Sequence, residues 1–314
     1  MYDLAIIGAG PGGLAAGLYA GRARLKTVIL ECDAVGGQIM TTANIENYPG
    51  GIVDAKESGP SLMERMHKQA ESFNCEIKKA KVVDVDLTSN PKKLTLDNGE
   101  TIEAVGVIIA TGANPNKLKV PGEKEFTGKG VSYCATCDAD FFEGFEIFVV
   151  GGGNTAVEEA TYLSDFARKV NIVVRRDVLR ADQIVKERAE AKENIEFLYK
   201  TSITEIKGEG LLQSVILRDN ETGETREYHC DEDDGLMGVF VFVGIHPNTE
   251  LFEGKLELTE DGYIPTSPKM ETNIPLVYAV GDVRDTVLRQ VITAASDGAI
   301  AAYNIDKDIK ALRK

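Results

Sequence analysis

Residues 2–31 read YDLAIIGAGPGGLAAGLYAGRARLKTVILE. The opening YDLAIIG is a short apolar run, the pattern of a parallel strand buried on both faces. GAGPGG follows, with Gly8, Gly10 and Gly13 spaced as G-x-G-x-x-G. LAAGLYAGRA then sets apolar residues along one helix face, and TVILE makes a second strand. Glycines between a strand and a helix let the backbone approach a pyrophosphate lying on the helix N-terminus. Glu31 closes the second strand, where a carboxylate accepts hydrogen bonds from ribose hydroxyls.

The same order of elements returns at residues 146–176, EIFVVGGGNTAVEEATYLSDFARKVNIVVRR. Gly151, Gly153 and Ala156 fit G-x-G-x-x-A, a helix is expected from about Asn154, and KVNIVV is the next strand. No acid ends that strand. Arg175 and Arg176 stand there instead, with Arg180 a few residues on, and guanidinium groups suit a 2′-phosphate. The first site thus reads as one for an unphosphorylated dinucleotide, the second as one for NADP(H). Each half also carries short β-rich pieces. KVVDVDLTSNPKKLTLDNGETIEAVGVIIATG turns at Asp97-Asn98-Gly99 and closes on Ala110-Thr111-Gly112. SITEIKGEGLLQSVILRDNETGETREYHCDEDDGLMGVFVFVG does much the same and closes on Gly244.

The expected fold is therefore α/β: two nested Rossmann-like dinucleotide-binding domains, each with a small β insertion. Boundaries are expected in the Pro-containing segments ANPNK and GIHPN. That gives one discontinuous domain, 1–114 with 246–314, and an inserted one, 115–245. The segment after the second boundary is too short to stand alone and should return to the first fold.

With 314 residues the chain can build two modest domains. Lys and Arg number 35 and Asp and Glu 50, a net charge of −15 that disfavours general binding to nucleic acid. No apolar run approaches a membrane span, MYDLAIIGAG has no secretory pattern, and KALRK is no lipidation or peroxisomal signal. A cytoplasmic location is expected.

Five cysteines, Cys32, Cys75, Cys134, Cys137 and Cys230, are too few and odd in number for a disulfide framework. Cys134 and Cys137 form C-x-x-C in VSYCATCDADFF. Zinc would need two further ligands. His67, His229, His246 and the other three cysteines offer no second ligand pair. The pair reads better as a dithiol cycling with a disulfide. No role is assigned to Cys32, Cys75 or Cys230.

Taken together, GAGPGG, GGQIMTTANIENYPG, ATG, CATCD, GGGNTAVEEA, RRDVLRA and VYAVGDVRDTVLRQVITAASDGAIAA resemble the low-molecular-weight, bacterial-type thioredoxin reductases, from Tyr2 to about Tyr303. The resemblance implies FAD in the first fold and NADPH in the second. It sets Gly8, Gly10 and Gly13 at the FAD pyrophosphate and Glu31 at its adenosine ribose. Gly37, Gln38 and Asn47 would lie along the cofactor, Asp282 at the ribityl chain, and Arg289 and Gln290 at the flavin end. Gly151, Gly153, Ala156, Arg175, Arg176 and Arg180 would hold NADPH. The resemblance makes Cys137 the flavin-facing sulfur and Cys134 the one that attacks thioredoxin. Asp138 would manage the proton, which requires partial desolvation. A homodimer is implied, and so is a swing of the second domain about hinges near 115 and 245. Val174 stands where many relatives carry His, and the Gly244 loop reads GIHPN, which leaves the strength of the NADPH preference open.

Three rivals share parts of this pattern. Reductase halves of alkyl hydroperoxide systems carry an extra N-terminal module, and this chain starts at the first strand. Dithiol oxidases should have degraded nucleotide motifs. A flavin-binding redox sensor would need no second nucleotide fold.

Overall fold

The structure is a computed structural model that describes residues 1–42, 45, 47–52 and 57–313. Along the chain run β1 (Tyr2–Ile7), α1 (Pro11–Arg22), β2 (Thr27–Glu31), α2 (Gly59–Ser72), β3 (Glu76–Lys79), β4 (Val82–Asp86), β5 (Lys92–Leu96) and β6 (Thr101–Ile109). Then come β7 (Ala113–Pro115), α3 (Glu123–Phe126), β8 (Val131–Ser132), α4 (Ala135–Asp138), β9 (Glu146–Val150), α5 (Asn154–Leu163), β10 (Lys169–Val173), α6 (Gln183–Glu190) and β11 (Ile195–Leu198). The last stretch holds β12 (Thr201–Lys207), β13 (Ser214–Asp219), β14 (Thr225–His229), β15 (Gly238–Val241), β16 (Ile245–Pro247), β17 (Val277–Ala279) and α7 (Val291–Leu312). The chain folds into two compact units, Met1–Asn114 with His246–Lys314, and Pro115–Ile245.

In the first unit the strand order is β3-β2-β1-β6-β5-β4, with β17 also paired to β6. β1 lies parallel between β2 and β6. Alternate β1 side chains serve two cores. Leu4 and Ile6 join Ile29, Ile108 and Tyr278 beneath α1, α2 and α7, while Ala5 and Ile7 join Val28, Leu30, Val107 and Phe252 on the other face. Both faces are covered, which is why YDLAII shows no polar alternation. Each fully buried Leu or Ile contributes roughly 1.5–3 kcal/mol.

β6 belongs to two structures at once. Its first residues pair antiparallel with β5, and residues from Ala104 onward pair parallel with β1. The β insertion of this unit is therefore continuous with the main sheet. β17 pairs Val277–Ala279 with Val107–Ile109, so the final segment rejoins the first unit. α7 then lies against α1, where small residues permit close approach: a Cβ on Gly298 would sit 2.1 Å from the Gly12 carbonyl oxygen.

The second unit has a parallel sheet ordered β11-β10-β9-β15-β8 and a separate antiparallel sheet β12-β13-β14. Phe148 and Val150 of β9 face Ile203, Ile206, Val215 and Leu217 of the small sheet. Ile147 and Val149 point the other way, toward Ala156, Ala160 and Leu163 of α5. The period of two along β9 thus decides which side each layer covers.

Candidate functional site

In the first unit the glycine turn splits into locked and open positions. Gly8, at φ +105°, would place a Cβ 2.3 Å from the Ala110 oxygen, and Gly13 would place one 2.0 Å from the Gly8 oxygen. Those two are required by packing. Gly10, which caps α1, would meet only the Gly36 oxygen at 4.0 Å. Gly37 lies beside it, its own Cβ position 3.4 Å from Gly10 Cα. Open backbone at the start of a twelve-residue helix is a cradle that a pyrophosphate fits. Glu31 ends β2 and accepts from the Ala9 amide at 2.7 Å and the Asp33 amide at 2.9 Å, which holds its carboxylate at the rim of the turn.

Of the remaining first-unit candidates, Asn47, Asp282, Arg289 and Gln290 gather near the start of α7. Gln290 caps this helix, and Asn47 Nδ2 donates to Gln290 Oε1 at 3.1 Å. Gln38 donates through Nε2 to Asn114 Oδ1 at 2.6 Å and to the Ala113 carbonyl. Within GGQIMTTANIENYPG, Ala43, Asn44 and Glu46 lie outside the described residues. Asp282 sits on the short turn Gly281–Val283 between β17 and α7, where burial pushes its carboxyl up to about 6 despite the pull of Arg289. The Arg289 guanidinium lies 4.4 Å over the Tyr263 ring, and its Nε is buried without a hydrogen-bond partner among the described residues. The glycine turn and this cluster are joined through α7: Gly12 abuts Val280 and Ala294, and Gly281 abuts Ala294. An open pyrophosphate cradle and an unmet buried donor in one unit fit a polar dinucleotide such as FAD.

The second unit repeats the cradle with a variation. A Cβ on Gly151 would lie 2.5 Å from both Ala156 Cβ and the Phe242 oxygen, so Ala156 fills the space the third glycine leaves elsewhere. Gly153, the cap of α5, has nothing within 4 Å. Arg175, Arg176 and Arg180 are exposed, and among the described residues none is paired with a carboxylate. Their loop is held by its backbone: Arg180 N donates to Gly152 O at 2.7 Å, Lys200 N to Arg176 O at 2.9 Å, and Asn220 Nδ2 to Arg175 O at 3.0 Å. Three available guanidinium groups beside an open glycine turn fit a phosphorylated dinucleotide. Val174 is 3% exposed and belongs to the core, so it offers no ligand group. Asn154 and Asp182 also tie this loop down, with Asn154 Nδ2 donating to Asp182 Oδ2 at 2.9 Å and Asp182 N donating back to Asn154 Oδ1 at 2.7 Å. Sequence reasoning missed that reciprocal pair, whose members are 28 residues apart.

Cys134 and Cys137 form a disulfide with Cα atoms 5.3 Å apart. Cys134 caps the one-turn α4, and Cys137 lies within it. Asp138 follows, half-buried, and burial pushes its carboxyl up while a hydrogen bond from Ser132 pulls it down. Ser132 Oγ is 2.5 Å from Asp138 Oδ2, accepts from Cys134 N at 3.1 Å, and lies 3.2 Å from Cys134 O. Nothing in the spacing of residues 131–142 singled out this serine. Of the other thiols, Cys75 is buried, and burial pushes it up to about 12. Cys32 and Cys230 are also raised, again mainly by burial.

The family model for pyridine nucleotide-disulphide oxidoreductases matches residues 2–298. A thioredoxin reductase of Peptoclostridium litorale is 54% identical over 312 residues, covering 99% of this chain and 98% of that protein. One of Peptoclostridium acidaminophilum is 52% identical over 311 residues, with 99% and 98% covered. Among solved structures, a thioredoxin reductase from Streptococcus pyogenes MGAS5005 superposes with a TM-score of 0.92 at 41% identity, covering 99% of each chain.

Proposed function

Because this chain belongs to the pyridine nucleotide-disulphide oxidoreductase family, we propose that it is a flavoprotein disulfide reductase that passes electrons from NADPH, by way of FAD and the Cys134–Cys137 pair, to the disulfide of thioredoxin. The observation that carries this reading is a disulfide in the turn that leads into a second dinucleotide fold with open glycines and available arginines. Bound FAD supplies the acceptor for a hydride and the donor of two electrons to a disulfide.

The chain's own groups divide the remaining work. Gly8, Gly10 and Gly13 admit the FAD pyrophosphate, Glu31 holds the adenosine ribose, and Gly37, Gln38 and Asn47 lie along the cofactor. Asp282, Arg289 and Gln290 serve the ribityl and flavin end. Gly151, Gly153 and Ala156 shape the NADPH turn, and Arg175, Arg176 and Arg180 bind the 2′-phosphate. In the reduced dithiol, Cys134 attacks one sulfur of the thioredoxin disulfide, and the other leaves as a thiolate and takes up a proton. Cys137 then attacks the Cys134 sulfur. The Cys134–Cys137 bond re-forms, and the second thioredoxin sulfur is released. Asp138 exchanges protons with these sulfurs.

In this reading residues 1–114 with 246–314 form the FAD domain, and residues 115–245 form the NADPH domain that also presents the dithiol. The crossings near 115 and 245 serve as hinges. Among the described residues no helix is long and apolar enough to cross a membrane. A cytoplasmic homodimer is the expected state, with sedimentation velocity as the check on the dimer.

The test is NADPH-dependent reduction of thioredoxin by the FAD-loaded protein, with NADH in parallel. Turnover with NADPH and little with NADH is the expected result. Flavin bleaching by NADPH without thioredoxin turnover would move the assignment to another disulfide partner. No bleaching by NADPH would overturn the reading of Arg175, Arg176 and Arg180.

A further inference from the structure

Ser132 has one hydroxyl proton and three polar neighbours. Its oxygen accepts from Cys134 N at 3.1 Å, and its proton can go either to Asp138 Oδ2 at 2.5 Å or to Cys134 O at 3.2 Å. A hydroxyl donates once and accepts twice. When Asp138 is ionised, Ser132 donates to Oδ2. When Oδ2 carries a proton, Asp138 donates to Ser132, whose own proton turns to the Cys134 carbonyl. In either state the hydroxyl donates once and stays bonded to Oδ2, and the Cys134 amide keeps it in place throughout. Ser132 is 5% exposed, so water is a poor substitute.

We propose that Ser132 is a positioning residue for the dithiol chemistry, a rotating hydroxyl that keeps Asp138 hydrogen-bonded both before and after it gives up its proton. The inference rests on the reading of Cys134–Cys137 as the redox pair and Asp138 as its acid. The step moves one proton from the Asp138 carboxyl to a departing cysteine thiolate, and the carboxylate later regains a proton from solvent. A fixed partner that suited only one state would penalise the other. Other titratable groups near α4 are Tyr133 before the dithiol, Asp140 on the following turn, and Glu158, Glu159 and Tyr162 on α5, which packs against α4. Burial and Ser132 nonetheless govern the Asp138 carboxyl.

The experiment records pH profiles of kcat/KM for thioredoxin in the FAD-loaded native protein, S132A, D138N and the double variant. S132A is expected to lower kcat/KM on the order of tenfold. Ser132 bonds both states, but its bond to the carboxylate is charge-assisted and the stronger, so removing it also moves the alkaline limb to higher pH. Flavin content and the KM for NADPH stay at native values. In the D138N background, S132A adds little and leaves the profile unchanged. A profile for S132A that superposes on the native shape, or a full S132A cost repeated on D138N, would overturn the role. If S132A fails to retain flavin, infrared difference spectra of the native protein decide instead, with D138N identifying the band. A hydrogen-bonded Asp138 acid supports the rotor, and a free acid ends it. Failure of the parent reading looks different, because the native protein would then turn over no thioredoxin at all.

Discussion

Burial pushes the Asp282 carboxyl from 3.8 up to about 6, Arg289 opposes this in part, and the neighbouring Asp297 adds to it. A carboxyl whose folded value is raised binds its proton more tightly in the native state. Stability is therefore complete below 3.8 and declines as pH rises through about 6. In cofactor-free protein at pH 7, Asp282→Asn should raise the unfolding free energy by about 1–3 kcal/mol. The gain should vanish in acid, and the same variant should bind FAD more weakly. Denaturant melts at two pH values together with a flavin titration check this, and an unchanged melt at pH 7 would show that the carboxyl bears no burial cost. Asp282 could be picked out only through a resemblance, since VYAVGD by itself also fits a strand ending in a turn. The cysteine pair was more legible, because sulfurs three residues apart meet within one helical turn. Ser132 and the Asn154–Asp182 pair left no such trace, because a serine or asparagine gains its meaning from the partner that folding supplies.

Among the elements, the contact of α1 with α7 depends on the absence of side-chain atoms at Gly12 and Gly298. A Cβ at Gly298 would fall 2.1 Å from the Gly12 oxygen, and backbone cannot step aside as a flexible side chain can. Gly298→Ala should therefore destabilise the protein by about 1–3 kcal/mol and loosen the flavin, because α7 also carries the Gln290 cap. Tyr303→Ala, at a residue 59% exposed on the same helix, should stay within about 0.5 kcal/mol of native. Thermal melts of the two variants make the comparison, and equal melts would remove the close approach as a stabilising feature. The strand-glycine-helix-strand units were legible because buried runs and glycine spacing are local signals. Helix α2 was not marked out, although Ser58 caps it by accepting from Ser61 N at 3.2 Å and Pro60 follows as a helix start. Leu62, Met63, Met66 and Ala70 recur at helical spacing and pack on the first core, so this helix was legible from its apolar stripe and was missed. The double pairing of β6 was also missed, although TIEAVGVII changes from alternation, with Thr101 and Glu103 exposed, to a continuous buried run from Gly106.

For the whole molecule, the proposed swing of one domain predicts separable half-reactions. A disulfide or bifunctional crosslink that fixes the two units should leave either reduction of the flavin by NADPH or oxidation of reduced flavin by thioredoxin, while the other falls by at least about tenfold. Stopped-flow measurement of each half-reaction reads this directly, and full rates for both in the crosslinked protein would remove the swing. The sequence by itself determined two dinucleotide folds, one inserted in the other, and a dithiol ahead of the second. Strand runs, G-x-G-x-x-G spacing and C-x-x-C are contiguous patterns whose physical meaning is settled over a few residues. Only the tertiary structure decided which polar groups are buried, which are bonded and which are left open. It set Arg289 over Tyr263 with an Nε unmet among the described residues, raised Asp282 beside Asp297, left Gly153 facing open space, and gave Asp138 a partner in Ser132. Desolvation and hydrogen-bond geometry arise from groups brought together by folding, so no linear pattern encodes them.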